Sequence, residues 1–191
     1  MYKFYALLSR MKYIKRWSLM RSSREENVME HSYEVTMIAH ALALINNKIF
    51  NGNADPFKTT MIAQYHETGE VLTGDLPTPI KYFNPEIRDA YKDIEHISCE
   101  KILKMLPEEL YESYREVILP DKDCEEAKLA KYADKISAYL KCVDELKAGN
   151  TEFKKAKCTI EKELKSYKSK EVDYFLKEFA PAFSLVLDEI G

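Results

Sequence analysis

At 191 residues the chain has the length of one domain, and 46% hydrophobic with 32% charged residues is a globular composition. A formal net charge of −3 provides no overall basic field for a nucleic-acid polymer. No apolar run is long enough to span a bilayer, and Met1-Tyr2-Lys3-Phe4-Tyr5 lacks the core and cleavage site of a signal peptide, so no membrane association and a cytoplasmic location are expected. Cys99, Cys124, Cys142 and Cys158 form no CxxC pair, which disfavours a structural zinc knuckle and favours free thiols. With only 5 glycines against many Leu, Lys, Glu and Ala, the chain reads as all-α, one domain over 1–191.

Phe4, Leu7, Leu8, Met11 and Ile14 have the 3–4 spacing of an amphipathic helix over 2–17, ending in Lys15-Arg16-Trp17. The polar stretch Arg21–Asn27 follows. Arg16, Arg21 and Arg24 concentrate positive charge here, either as a solvated loop or as an anion-binding edge, since guanidinium forks match phosphate oxygens. Val28, His31, Val35, Ile38, Leu42, Ile45 and Ile49 then step by three and four along a buried helical stripe. A histidine on such a stripe is more often a satisfied core residue than a ligand, but His31 stands next to the polar loop, where a site can open. His40 falls off the stripe.

Asn51-Gly52-Asn53 breaks the chain, and Asp55-Pro56 supplies an N-cap and first-turn proline for a helix with Met61, Ile62 and Tyr65 inside. That helix leads into Y-H-E-T-G-E-V-L-T-G-D-L-P-T-P, residues 65–79, with one histidine and three carboxylates. If the helix continues, Glu70 stands one turn beyond His66 on the same side. Thr73-Gly74-Asp75 reads as a turn, and Pro77 and Pro79 as blocks to further helix. A histidine beside glutamates is usually a solvated face; ligands elsewhere in the chain decide whether this one is more. Asn84-Pro85 opens a helix to about Met105, and Pro107 a shorter one to near Pro120; His96 on the former has no motif partner. From about Glu125 to Ala148, Leu129, Ala133, Ile136, Leu140 and Val143 point inward. Asp134 flanks that stripe, where a carboxylate is costly unless paired or metal-bound. Residues 151–191 read as two helices with a break near 166–169, and Phe175, Phe179, Phe183 and Leu187 as core or dimer contacts. No GxGxxG or P-loop glycine pattern is present.

His31, His66, Glu67 and Asp134 thus stand on three helices in the order H…H-E…D. With R-W-x-L-M-R, E-N-V-x-E-H-S, Y-H-x-x-x-E-V-L-T-G-D-L-P-T-P-x-K-Y-F, A-D-x-x-x-A-Y-L-K-C and D-Y-F around them, this pattern resembles the HD-domain deoxyribonucleoside 5′-monophosphatases from about Phe4 to Ile190. The resemblance implies an all-α HD bundle, usually homodimeric, with one divalent metal per subunit. It implies hydrolysis of deoxyribonucleoside 5′-monophosphates to deoxynucleoside and phosphate by metal-activated water. It assigns His31, His66, Glu67 and Asp134 as metal ligands, with His31, Glu67 and Asp134 also facing the substrate. Arg16 would orient the phosphate, Trp17 would lie against the sugar, Glu70 would handle the proton of the attacking water, and Asp75, Leu76, Pro77 and Thr78 would line the sugar and base side.

Two imidazoles and two carboxylates suit Co, Mn, Fe, Ni or Zn without selecting one. The chain departs from the family in one place: the second motif is His-Asp there and His66-Glu67 here. The extra C–C bond carries the carboxylate about 1.5 Å further out, so restoring aspartate is expected to maintain or raise activity. Two alternatives stand beside the nucleotidase: a nucleotide-binding protein whose turnover is weakened by Glu67, and an HD hydrolase of another nucleotide phosphoester.

Overall fold

The computed structural model describes residues 1–81 and 83–191, with the side chains of Thr78 and Lys81 also outside the described set. Among the described residues the architecture is helical and contains no strand beyond one isolated antiparallel bridge, Lys15 to Asn27. The elements are α1 (Phe4–Leu8), α2 (Val28–Ile49), α3 (Pro56–Tyr65), α4 (Glu70–Thr73), α5 (Thr78–Lys81), α6 (Pro85–Leu103), α7 (Glu108–Ile118), α8 (Glu125–Lys147), α9 (Lys154–Ser166), α10 (Lys170–Glu178) and α11 (Leu187–Ile190).

The long helices begin where local chemistry favours a start. Asn27 caps α2 through Glu30 N–H in a reciprocal capping box, Asp55 caps α3 through Phe57 and Lys58 N–H, and Asn84 caps α6 through Ile87 N–H. The principal core is formed where α2, α3 and α8 meet, with Val35, Ile38, Leu42, Ile62, Leu129, Ala133, Ile136 and Leu140, and is closed by α9 and α10 through Leu164, Val172 and Phe175. A second cluster joins Phe4, Leu8 and Met11 to Val28, Ile102, Leu103 and Ile118. Val28 belongs to the second cluster and Val35 to the first, so His31, between them on the same stripe, lies where the two cores adjoin.

The structure departs from the sequence pattern in several places. The helix expected over 2–17 is only α1 followed by a 3₁₀ turn, Ser9–Tyr13. Beyond it the chain is pulled out of helix by pairing: Ile14 O accepts from Val28 N–H at 2.9 Å, and Arg16 N–H donates to Glu26 O at 2.9 Å. Trp17 consequently has φ of 58°, a left-handed conformation costly for a bulky side chain, and stands in a loop rather than at a helix end. The helix through His66 to Glu70 is also interrupted. α3 ends at Tyr65, and α4 starts only at Glu70. Gly69 between them lies against α6 so closely that a Cβ would stand 3.2 Å from Glu95 O and 3.3 Å from Cys99 Sγ.

Gly74, at φ 72°, ends α4 as expected, but Pro79 does not prevent helix. It sits within the first turn of α5, where its missing N–H has no partner to lose. Ile49 is exposed and Val143 half-buried, each at the margin of its stripe. Phe175 is core, whereas Phe179, Phe183 and Leu187 are exposed, because a 3₁₀ turn over Ala180–Ser184 replaces a continuing helix. All four thiols are free.

Candidate metal centre

α2 and α8 cross so that His31 and Asp134 face one another, with His31 Nε2 3.0 Å from Asp134 Oδ1. The end of α3 delivers His66, whose Nδ1–H donates to Ala63 O at 2.7 Å, orienting the ring with Nε2 inward. The turn after Tyr65 swings Glu67 to the same point: its Oε1 lies 3.4 Å from His66 Nε2 and 3.9 Å from His31 Nε2. One donor atom from each of His31, His66, Glu67 and Asp134 lies within 4.8 Å of all the others. Two bonds near 2.1 Å meeting at a right angle place their donors about 3 Å apart. Opposed bonds place them about 4.2 Å apart, so small side-chain adjustments bring all four groups onto one ion. His66 Nε2 is buried and makes no hydrogen bond among the described residues, which is the state of a nitrogen that has a ligand outside the protein.

The charges make the same point. Burial pushes the Glu67 carboxyl up and Asp134 repels its charge, but the neighbouring His66 outweighs both and holds it below the usual range. Burial likewise opposes ionisation of Asp134, and the His31 and His66 rings and Arg16 around it together outweigh that. Burial lowers His66, yet the Glu67 charge carries it above an ordinary histidine. Two ionised carboxylates this close in a half-buried site favour positive charge between them.

Arg16 supplies part of that charge. Its guanidinium is largely buried, and Nη1 donates to Glu26 Oε1 at 2.7 Å. Burial opposes its charge, but Glu26, Asp134 and Glu67 together keep it protonated. Glu26 also lies 3.4 Å from His31 Nδ1. Burial would raise the Glu26 carboxyl, but His31 and Arg16 hold it at about 2. Arg16 Nε and Trp17 Nε1 are both buried without a hydrogen-bond partner among the described residues. Trp17 packs on Phe153, with ring centroids 5.4 Å apart.

Glu70 is buried at the start of α4, its N–H donating to Glu67 O at 3.1 Å. Asp75, Leu76 and Pro77 are half-buried on the link from α4 to α5, while the side chain of Thr78 lies outside the described residues. His40 and His96 are exposed, in keeping with their lack of a motif. A cavity of about 250 Å³ touches His31, Glu26, Glu34 and Lys141 but not His66, Glu67 or Asp134, so it adjoins the back of the cluster rather than its face.

Sequence reasoning passed over Glu26, Glu34, Ser137 and Glu145. Glu26 carried a signal, as the first residue of E-N-V-x-E-H-S. Glu145 is wholly buried at the end of α8 and fastens the loop that follows Trp17: it accepts from Ser23 N–H at 2.8 Å, Asn150 Nδ2 at 2.8 Å and Lys141 Nζ at 2.6 Å.

The sequence pattern describing YfbR-like 5′-deoxynucleotidases matches residues 3–183. The chain belongs to the YfbR-like 5′-deoxynucleotidase family. It is 53% identical to a 5′-deoxynucleotidase of Vibrio vulnificus over 189 residues, 98% of this chain and 97% of that one. A 5′-deoxynucleotidase of Erwinia tasmaniensis is also 53% identical, over 98% of this chain and 96% of the relative. Among solved structures, an HD-domain phosphohydrolase of Listeria innocua superposes with a TM-score of 0.83 at 25% identity, covering 95% of this chain and 88% of that one. The same helical fold recurs at a TM-score of 0.65 and 21% identity in a cyanophage S-2L HD phosphohydrolase solved with dA and one catalytic Zn2+ ion, covering 94% and 95% of the two chains. This member of the YfbR-like family has the all-α HD fold, and its His/Glu/Asp cluster suits a divalent metal.

Proposed function

We propose that residues 1–191 form one HD-type domain that hydrolyses deoxyribonucleoside 5′-monophosphates to deoxynucleoside and phosphate. The observation that carries this reading is the convergence of His31, His66, Glu67 and Asp134 within 4.8 Å, in a chain 53% identical to 5′-deoxynucleotidases. These four residues hold one divalent ion per subunit. When bound, such an ion polarises a phosphoryl oxygen and acidifies a water molecule. Co, Mn, Fe, Ni and Zn all fit this donor set.

The protein's own groups then divide the remaining work. Arg16 presents its fork to the phosphate oxygens and offsets the charge that builds as the phosphorus–oxygen bond to the 5′-carbon breaks. Glu26 holds that guanidinium in place. Glu70 accepts the proton of the attacking water and returns it to the departing 5′-oxygen, so that water is added across the ester and protons balance. Trp17 lies against the sugar; its unpartnered Nε1–H supports a position at a ligand. Asp75 accepts from the 3′-hydroxyl, and Leu76, Pro77 and Thr78 line the sugar and base side, with His31, Glu67 and Asp134 behind the phosphate.

The position of the Glu67 carboxylate among the other donors supports turnover over a role in binding alone. No helix among the described residues is long and apolar enough to cross a membrane, and we read the protein as cytoplasmic and homodimeric. Exposed Phe179, Val186, Leu187 and Ile190 near the C-terminus support pairing. Phosphate release from matched deoxyribo- and ribonucleoside monophosphates, with each metal and with chelator, tests the activity. Release without metal, or none from any deoxyribonucleotide, overturns it; light scattering tests the dimer.

A further inference from the structure

The two imidazoles of the cluster are held in different ways. His66 Nδ1–H is bonded to a backbone carbonyl of its own helix, which no substitution of a side chain removes. His31 Nδ1 instead lies 3.1 Å from Ser137 Oγ, and Ser137 O–H in turn donates to Glu34 Oε2. The direction of this chain is fixed by donor counting. Serine has one hydrogen; with that hydrogen donated to Glu34 Oε2, Ser137 Oγ is an acceptor towards His31. Nδ1 therefore carries the proton, and Nε2 turns its lone pair to the cluster 3.0 Å from Asp134 Oδ1. A lone pair facing a carboxylate oxygen at that distance is repulsive unless a cation joins them. Glu26 is a poorer alternative acceptor, 3.4 Å from Nδ1 and committed to Arg16.

We propose that Ser137 and Glu34 are positioning residues that fix the tautomer and ring plane of His31 and thereby set how tightly the metal is held. The proposal rests on the metal site of the proposed function. It assigns work to a buried serine and to a carboxylate that take no part in ligation or in the proton transfer. The three residues come from two helices, α2 and α8, so the crossing that brings His31 to Asp134 also brings Glu34 to Ser137.

The test is titration of the metal-free protein with Co2+ alone, followed by visible absorption and calorimetry, with folding checked by circular dichroism. Removing an outer partner of a ligating histidine weakens metal binding by about 10–100-fold, and that loss is expected for Ser137→Ala and for Glu34→Ala. Because both act through one chain of bonds, the double variant is expected to bind no more weakly than the weaker single variant. Glu34→Gln keeps an acceptor for the serine and should lose less than Glu34→Ala, a rescue that a purely space-filling role does not produce. Folded single variants with wild-type Co2+ affinity overturn the proposal, as do additive losses in the double variant. Should Ser137→Ala not fold, the Glu34→Ala and Glu34→Gln pair decides. If the wild-type protein itself takes up no Co2+, the metal site falls and this inference with it; if it binds Co2+ and the variants match it, only this inference falls.

Discussion

Two regions carry the residues in and around the His/Glu/Asp cluster, and they are stabilised differently. His31 and Asp134 project from α2 and α8, whose neighbouring residues Val35, Ala133 and Ile136 are fully buried in the principal core. Their separation is set by apolar packing at crystal-like density, which resists displacement. Arg16 and Trp17 belong to a loop with little regular structure, closed by the Lys15–Asn27 bridge and fastened to the end of α8 by Glu145 and Asn150. The ion-binding geometry is thus a property of the helix packing. The geometry of Arg16 and Trp17, proposed to face phosphate and sugar, depends on a handful of polar bonds, and substitutions can alter it without touching the core.

The largest effect is expected at Glu70, which starts a helix of four residues between these two kinds of structure. Glu70→Ala is expected to lower kcat by about 10²–10⁴, the span of general acid–base catalysis, with metal still bound. Metal content and single-turnover rates check it. If the metal is lost instead, Glu70 belongs with the ligands and the division between them and the proton-transfer group disappears.

Next is Glu145, which fastens the loop. Removing one member of a buried ion pair costs about 3–5 kcal/mol, because the partner is left uncompensated; Glu145→Ala leaves Lys141 and the Ser23 N–H in that position. Denaturant unfolding is expected to show this loss, and kinetics a raised KM for nucleotide with the Co2+ affinity unchanged. Acid dependence gives a second measure. Burial raises the Glu145 carboxyl, but Lys141, Ser23 and Asn150 more than offset it, bringing it to about 2 from an ordinary 4.5. A carboxylate depressed in the folded state stabilises fully above its unfolded value and loses that contribution as pH falls through the folded one. Stability should therefore decline between about pH 4.5 and 2, and in Glu145→Gln this part of the decline should be absent. An unchanged KM in the destabilised variant would show that the loop is no wall of the site.

What was legible in the sequence follows the same division. The α2 stripe, the Asp55-Pro56 and Asn84-Pro85 helix starts and the α8 stripe are local patterns, and local patterns persist in the fold. The joining of His31, His66 and Asp134 is not local; spacing alone does not bring together three helices, and the family resemblance supplied it. The helix expected over 2–17 runs too far because Phe4 to Ile14 keep helical spacing, while the Lys15–Asn27 pairing that draws residues 14–17 out of helix depends on residues ten or more positions away. Nothing at Trp17 signals a positive φ, which glycine or asparagine would have done. The Glu34–Ser137–His31 chain carries no periodic mark, since each member is defined only by its partner across the helix crossing.

Sugar selectivity sharpens the comparison from the loop side. Deoxyribose and ribose differ by one hydroxyl, and a close apolar wall rejects an added hydroxyl by about 10²-fold. Trp17 is backed by Phe153 and so has a firm surface to press on. Trp17→Ala is expected to raise relative activity on ribonucleotides by up to about that factor, whereas Asp75→Ala weakens both substrates alike, since both sugars carry the 3′-hydroxyl. The ratio of kcat/KM for a matched deoxy/ribo pair measures this. A ratio that moves with Asp75 and not with Trp17 reverses the two roles.

The smallest effect is expected at Glu67, where the two kinds of structure meet in one residue. Its side chain completes the cluster, yet its backbone belongs to the turn between α3 and α4 rather than to a long helix. The family pattern has aspartate here; the distances in the structure argue for the glutamate that is present. With glutamate present, Oε1 already lies 3.4 Å from His66 Nε2 and 3.9 Å from His31 Nε2. Glu67→Asp withdraws the carboxylate by about 1.5 Å, more than the roughly 0.5 Å a functional site tolerates. The turn can return part of that distance, because Glu67 O and Glu70 N–H are joined by a single 3.1 Å bond rather than by a helical ladder. The close approach of Gly69 to Glu95 O, where a Cβ would stand at 3.2 Å, limits how far the turn can follow. Co2+ affinity should therefore fall for Glu67→Asp, by less than the roughly tenfold lower bound for losing an outer partner altogether. kcat at saturating metal should be nearly unchanged. Co2+ titration of the two proteins settles the sign. Tighter binding by the aspartate variant would mean that the glutamate overreaches, and that the turn, not the side chain, is what this chain has fitted to its ion.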